Sequence, residues 1–205
     1  MITPSPPHLL AGLRVSVVSI VWTLVACSAA IATGLIDGSL ALVAFGLTGL
    51  LDGAGSAVLV VHFRHALAHR VISSAHERLA LRVVSIGMIV IGVSTSAESA
   101  RRLIVNEAGR GSAIGIAIAG ASAVVLTLLA VAKARIAEKV SSDALRADGR
   151  LSATGGALAL IALAGAAFTS RSAPHWIDPA AALCVAIVAA AIGALGLRDH
   201  RAGQS

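Results

Sequence analysis

Long apolar runs, separated by short polar stretches, dominate the sequence from about residue 15 onward. Each extends over about 20 residues, the length that an α-helix needs to cross a hydrocarbon core of about 30 Å. The pattern therefore predicts an all-α membrane protein of six transmembrane helices. The runs are Val15–Leu35, Ser39–Val61, Leu79–Ala97, Ile114–Ala132, Ala153–Phe168 with a polar lead-in from Ala144, and Pro179–Leu197.

The composition agrees with a chain that lies almost entirely in a membrane. Hydrophobic residues make up 57% of the 205 residues and charged residues only 13%, against about 25% charged residues in an ordinary soluble domain. We expect a disordered, proline-rich N-terminal tail over residues 1–12, a six-helix transmembrane domain over 13–198 and a short C-terminal tail over 199–205.

Basic residues are concentrated at alternate ends of the predicted helices. Only Arg101, Arg102, Arg110 and Arg171 fall on the side opposite the two termini, so the positive-inside rule predicts cytoplasmic termini. We expect a multi-pass protein of the cell's inner (plasma) membrane. The formal net charge of +6 does not indicate nucleic-acid binding, because aromatic residues, which would stack on bases, make up only 2% of the chain.

Asp52 lies near the middle of the second apolar run, in the segment FGLTGLLDGAGSAVLVV. An acidic residue at the centre of a membrane helix costs about 2.5–3.5 kcal/mol on insertion scales, so it normally faces the bundle interior and often has a function. Two interpretations are open: an ion-binding carboxylate, or a structural acid hydrogen-bonded to Thr48 or Ser56.

A faint repeat relates the second and fifth helices. The segments SLALVAFGLTGLLDG (39–53) and SDALRADGRLSATGG (142–156) share six identical residues without a gap. In this alignment Asp52 stands opposite Gly155 and Asp148 opposite Phe45, so the two carboxylates are offset by seven residues, or about 10 Å of helix. One alternative for Asp148 is an interfacial acid paired with a neighbouring arginine, Arg146 or Arg150.

Four segments resemble the cation diffusion facilitator superfamily: SLALVAFGLTGLLDGAGSAVLVVHFR, SAHERLALRVV, SDALRADGRLSATGG and WIDPAAAL. The similarity is closest to the small branch without a large cytoplasmic domain, which includes vesicular zinc-binding membrane proteins. It implies export of a divalent metal cation, usually Zn²⁺, in exchange for protons, by a homodimer with a metal site between helices two and five. It implies a transporter and not an enzyme, and no Ser/His/Asp set, H-E-x-x-H motif or phosphate loop is visible inside the spans.

The sequence departs from this family at the metal site. Paired ligands four residues apart would fall on Thr48 and Asp52 in the second helix, but on Leu151 and Gly155 in the fifth, neither of which binds metal. The competing hypothesis is therefore a non-transporting scaffold or metal-responsive subunit with a degenerate site.

Asp148 and Ser152 are the residues that could restore a site on the fifth helix. They lie one helical turn apart, as Thr48 and Asp52 do, and the four together offer two carboxylates and two hydroxyls. Zn²⁺ is the first expectation by resemblance, but Mn²⁺, Fe²⁺, Co²⁺ and Cd²⁺ stay open, since an oxygen-only site favours harder ions. One ion bound directly by both aspartates would need a helix shift or a bridging water.

A group of four histidines follows the second helix on the predicted cytoplasmic side. Their spacings of three, four and seven residues would align them on one face of a continuing helix. Imidazole nitrogens at this spacing suit capture of Zn²⁺; the alternative is a solvated connecting helix with its neighbouring arginines. The four residues are His62, His65, His69 and His76.

Two further patterns concern packing. Small-residue faces at Gly49/Gly53 and at Ala189/Gly193 make dimerisation through the helices plausible. Asp37 and Asp178 are predicted to mark helix starts at the outer surface, where they would cap helix N-termini.

Overall fold

The computed structural model describes residues 6–67, 74–107, 109–140, 143–169 and 174–202. Within these ranges the chain forms six α-helices and no strand, and each helix is long and apolar enough to span a membrane. The predicted fold class is confirmed. The first helix begins at Pro6, inside the segment expected as an N-terminal tail, and the division of the chain into tails and a transmembrane domain stays a prediction. The helices are α1 (Pro6–Asp37), α2 (Leu40–Leu67), α3 (Ser74–Val105), α4 (Ala113–Val140), α5 (Asp143–Thr169) and α6 (Ile177–Ala202).

The helices pack mainly in three pairs, α1 with α2, α3 with α6 and α4 with α5. Helix α2 also contacts α3, α5 and α6, so it lies near the middle of the bundle. Phe45 and Leu42 of α2 are buried in the main core cluster together with Leu158 of α5 and Val185 of α6. Large aliphatic side chains such as Val18 of α1 are exposed instead, as expected for a surface that faces lipid. The Asp52-bearing helix is therefore turned towards the interior.

Small residues allow the paired helices to approach closely. A Cβ atom added to Gly46 would lie 2.7 Å from the carbonyl oxygen of Cys27, and one added to Gly193 would lie 2.5 Å from that of Ser85. Gly49 and Gly53 likewise face α1. The small-residue faces that we expected to support a dimer are therefore occupied by packing within one chain, and the dimer stays a prediction.

Two aspartates, Asp37 and Asp178, make hydrogen bonds near the junction between α1 and α2. Among the described hydrogen bonds, neither caps the start of its own helix, as the sequence had led us to expect. Asp178, in the first turn of α6, accepts hydrogen bonds from Ser39 Oγ at 2.6 Å and from the backbone N–H of Leu40 at 2.8 Å, and so caps α2. Asp37 was expected at a helix start but is the last residue of α1, and it accepts a hydrogen bond from Ser112 Oγ. These contacts hold the start of α2 against α6 and therefore help to set the depth of Asp52.

Candidate metal site

A cavity between α1, α2 and α5 collects polar side chains inside the bundle. It is narrow, and glycines such as Gly49, Gly53 and Gly155 bring the helix backbones close to it. Polar residues from all three helices line it beside apolar ones such as Phe45 and Leu158, so a cation inside could meet oxygen atoms from each of these helices. The oxygen-bearing lining residues include Ser19 and Thr23 of α1, Thr48, Asp52 and Ser56 of α2, and Ser152 of α5.

Asp52 lies on the wall of this cavity, partly buried, near the middle of α2. It makes no hydrogen bond or ion pair with any side chain that the structure describes. The bonds to Thr48 or Ser56 expected of a purely structural acid are therefore not found among the described residues. A carboxylate at this depth needs compensation, by a proton or a cation.

Thr48 presents a second free oxygen one turn away on the same helix. Its side chain is 1% exposed, and its Oγ1 has no hydrogen-bond partner among the described residues. Buried hydroxyls are normally satisfied, so this atom suggests a ligand or water that completes the site. Thr48 and Asp52 together fit one half of a site for a cation that prefers oxygen.

Asp148 and Ser152 are both held by Lys133 of α4. Lys133 Nζ lies 2.8 Å from Asp148 Oδ2 and donates a hydrogen bond of 2.8 Å to Ser152 Oγ, and Ser16 Oγ of α1 donates to the same Asp148 oxygen at 2.8 Å. One alternative from the sequence was pairing of Asp148 with an adjacent arginine, Arg146 or Arg150. The observed ion pair is instead with a lysine inside the bundle, 0% exposed.

Helix α1 gives the relative depth of the two carboxylates. A Cβ atom on Gly53, next to Asp52, would lie 3.2 Å from Thr23, whereas Asp148 contacts Ser16. Thr23 and Ser16 are seven residues apart on α1, which is about 10 Å of helix. Asp52 and Asp148 therefore lie about two turns apart, and we expect that one ion would not contact both.

The polar face of α1 was missed by the sequence analysis. Ser16, Ser19 and Thr23 are all buried, and their spacings of three and four residues place them on one helix face. The signal was present in the sequence, but serine and threonine are common in membrane helices, where they often bond to their own backbone. The contacts with Asp148 and Lys133 show what this face does.

The histidines cannot be placed in this site. The backbones of His62 and His65 belong to α2 and that of His76 to α3, but the side chains of all three, and His69 altogether, lie outside what the structure describes. Among the described side chains, no group of three or more His, Cys, Asp or Glu residues is arranged to hold a metal. Capture of metal by the histidines stays a prediction.

Six helices long and apolar enough to span a membrane, with a cavity among them lined by a carboxylate that has no partner among the described side chains, define a polytopic membrane protein. Residues 16–200 match the family model described as the cation efflux transmembrane domain. The match extends over most of the chain, which therefore belongs to the cation efflux (cation diffusion facilitator) family, as the sequence resemblance indicated. This membership supports a transporter of metal cations in general. The comparison with curated proteins gave no match.

Proposed function

We propose that this protein exports a divalent metal cation, with Zn²⁺ as the first candidate, in exchange for protons. The ion would bind in the cavity between α2 and α5, with Asp52 and Thr48 as its ligands on α2. The observation that carries this proposal is the Asp52 carboxylate, which lines the cavity without a partner among the described residues. Family membership supports a metal cation as the transported ion, and the Asp52 carboxylate supplies a negatively charged ligand for it.

The donor set bears on the choice of ion. Asp52 offers one carboxylate and Thr48 one hydroxyl, so water or further side chains would complete the coordination. Cys27 of α1 also lines the cavity, and its sulfur would favour Zn²⁺ or Cd²⁺, whereas a set of oxygen atoms alone would favour Mn²⁺.

Proton exchange follows from the same carboxylate. A metal ion binds the deprotonated form of Asp52, so each binding event displaces a proton whenever the empty site is protonated. Alternate occupation of Asp52 by a proton and by a metal ion would couple the two flows. This step requires no residue other than the one already placed in the cavity.

The remaining parts of the proposal concern the surroundings of the site. The four histidines His62, His65, His69 and His76 would capture metal at the cytoplasmic surface, where both termini would also lie. The protein would work in the inner (plasma) membrane as a homodimer. The basic residues at alternate helix ends support the orientation.

A second candidate function is a non-transporting scaffold or metal-responsive subunit. The observation that favours it is the ion pair of Lys133 with Asp148, because a lysine ammonium already neutralises the α5 carboxylate. A protein with only half of a metal site could bind metal without moving it.

Metal flux into proteoliposomes separates the two functions. The purified chain would be reconstituted, its insertion verified, and uptake measured for Zn²⁺, Mn²⁺, Fe²⁺, Co²⁺ and Cd²⁺ with a pH gradient in either direction. The transporter proposal expects saturable flux of at least one ion that depends on the gradient. Absence of flux for every ion would favour the scaffold.

A further inference from the structure

Lys133 is a fully buried charged residue at the α4–α5 contact, and the proposed transport does not use its charge. Its Nζ atom contacts three oxygen atoms, Asp148 Oδ2 at 2.8 Å, Ser152 Oγ at 2.8 Å and Ser19 Oγ at 2.9 Å. An ammonium group has three N–H donors and no acceptor. The three contacts match those donors, so the geometry is that of a fully satisfied charged lysine.

Two of these contacts connect Lys133 to the cavity. Ser19 and Ser152 both line the cavity that contains Asp52 and Thr48, and both accept a hydrogen bond from Lys133. The ammonium group therefore lies directly behind the cavity wall, at the α5 side. Asp148 lies beyond it, on the side of Ser16.

The charges of Asp52, Asp148 and Lys133 determine the electrostatic potential that a metal ion in the cavity would meet. Asp52 and Asp148 contribute two negative charges and Lys133 one positive charge, so the three groups together carry about one negative charge when ionised. Lys133 occupies the hydroxyl oxygen of Ser152, which lines the cavity from α5, and it repels a second cation in a medium of low dielectric constant. A divalent ion in the cavity would therefore meet Asp52 and the positive field of Lys133.

We propose that Lys133 is a tethered counter-cation that neutralises Asp148, occupies the cavity-lining oxygen of Ser152 and thereby lowers the affinity of the Asp52 cavity for divalent cations. This inference rests on the proposed function in taking the cavity as the metal site. Lys133 is a specificity-determining residue in this account, because a lower affinity favours release and disfavours ions that need many ligands. Asp148 and Ser152 are then partners of lysine and not of the metal.

Equilibrium binding to the purified full-length chain tests the proposal. Isothermal titration calorimetry with Zn²⁺ and with Mn²⁺ would compare the affinities of the wild type and Lys133→Met. The same titrations on proteins that also carry Asp52→Asn show which binding belongs to the cavity. Binding that the Asp52→Asn substitution abolishes is assigned to the cavity and not to the histidines. Lys133→Met removes the charge and frees Asp148 and Ser152. Its affinity for metal in the cavity should rise by about tenfold or more.

Two control variants keep the net charge of the site at its wild-type value. Lys133→Met with Asp148→Asn removes both members of the ion pair, so it should bind metal within about threefold of the wild type, since the net charge is unchanged. A large loss in this double variant would show that Asp148 is a metal ligand in the native protein and would overturn the proposal. Lys133→Arg keeps the charge and should not bind more tightly.

Lys133→Met leaves a buried carboxylate unpaired, and such changes often prevent folding. In that case gel filtration with and without Zn²⁺ gives the answer: the proposal expects Zn²⁺ to restore a monodisperse protein, and failure to restore it would count against the proposal. If the wild type binds metal in the cavity but Lys133→Met binds it no more tightly, the proposed role of Lys133 is wrong, while the cavity remains the metal site. Absence of Asp52-dependent binding in every variant overturns the cavity as the metal site as well.

Discussion

Asp178 at the start of α6 accepts a hydrogen bond of 2.6 Å from the hydroxyl of Ser39 at the start of α2, although 139 residues separate them in the sequence. The carboxylate is 1% exposed and also accepts from the backbone of Leu40. One buried acid therefore supplies the cap of a different helix from its own. Since α2 carries Asp52, this contact links the packing of the bundle to the depth of the cavity.

Asp178→Ala should destabilise the protein more than the loss of a surface charge would. It leaves buried donors at Ser39 and Leu40 without an acceptor, which costs about 1–3 kcal/mol in the free energy of unfolding. The thermal midpoint, followed by gel filtration of heated samples in detergent, should fall. Glu107→Ala is the control, because its ion pair with Arg101 is exposed and such pairs contribute about 0–1 kcal/mol. Equal midpoints for the two variants would contradict the capping role.

Gly49→Ala should disrupt the packing of α1 on α2. A Cβ atom at this position would collide with the sulfur of Cys27, and small-to-large changes in a packed core cost about 1–3 kcal/mol. Adding Cys27→Ala removes the sulfur and should restore most of the lost stability. The thermal midpoints of both variants give the measurement.

Gly120→Ala is the matched control for this collision. A Cβ atom there would have its nearest neighbour at 3.8 Å, so the change should be neutral or slightly stabilising, since alanine is favoured over glycine in a helix by about 1 kcal/mol. A Gly49→Ala protein as stable as Gly120→Ala would show that α1 and α2 separate easily, and the close approach would then have no structural importance.

Most of the fold could be predicted from the sequence, because the membrane imposes helices of a known length on any apolar run. Asp52 also stood out, since one acid in the middle of an apolar run is rare. The pairing of helices could not be predicted. We expected the glycine faces at Gly49 and Gly193 to support a dimer, but both pack against helices of the same chain, and nothing in the sequence distinguishes a contact within the chain from one between two chains.

Lys133 is a polar residue of the bundle interior that the sequence did not single out. It directly follows the apolar run Ile114–Ala132, so by hydropathy it belongs to a loop, and its burial depends on α4 continuing to Val140 beside α5. Its partners come from α1 and α5, at sequence separations of 114 residues for Ser19 and 19 for Ser152. The helical spacing of Ser16, Ser19 and Thr23 is visible in the sequence, but the partners that they and Lys133 find on other helices are not.

Replacing His65, His69 and His76 by Ala should weaken the apparent affinity for Zn²⁺ in transport while leaving the maximal flux within a few-fold of the wild type. The reason is that imidazoles at the surface would raise the local metal concentration without forming the intramembrane site. Flux measured against Zn²⁺ concentration in proteoliposomes separates the two parameters. If flux vanished at saturating metal in the folded variant, the histidines would be part of the transport site itself.

Acidic pH on the side from which metal enters should weaken uptake. Protons and metal ions compete for the Asp52 carboxylate, so the metal concentration needed for half-maximal flux should rise as the pH falls. The histidines would act in the same direction below a pH of about 6.5. Replacing His62 as well as His65, His69 and His76 by Ala removes the contribution of these histidines, and a flat pH profile in that variant would contradict proton competition in the cavity.

Metal flux through Asp52→Asn shows whether the Asp52 carboxylate binds the transported ion, as we propose. The amide keeps the shape and one acceptor oxygen of the side chain but not the negative charge, and insertion should be unaffected or improved because an acid is removed from the span. Glu107→Gln, an exposed acid on a loop, controls for the loss of one negative charge. With folding confirmed by gel filtration, we predict flux at background for Asp52→Asn and wild-type flux for Glu107→Gln; wild-type flux and pH dependence in Asp52→Asn would contradict the claim.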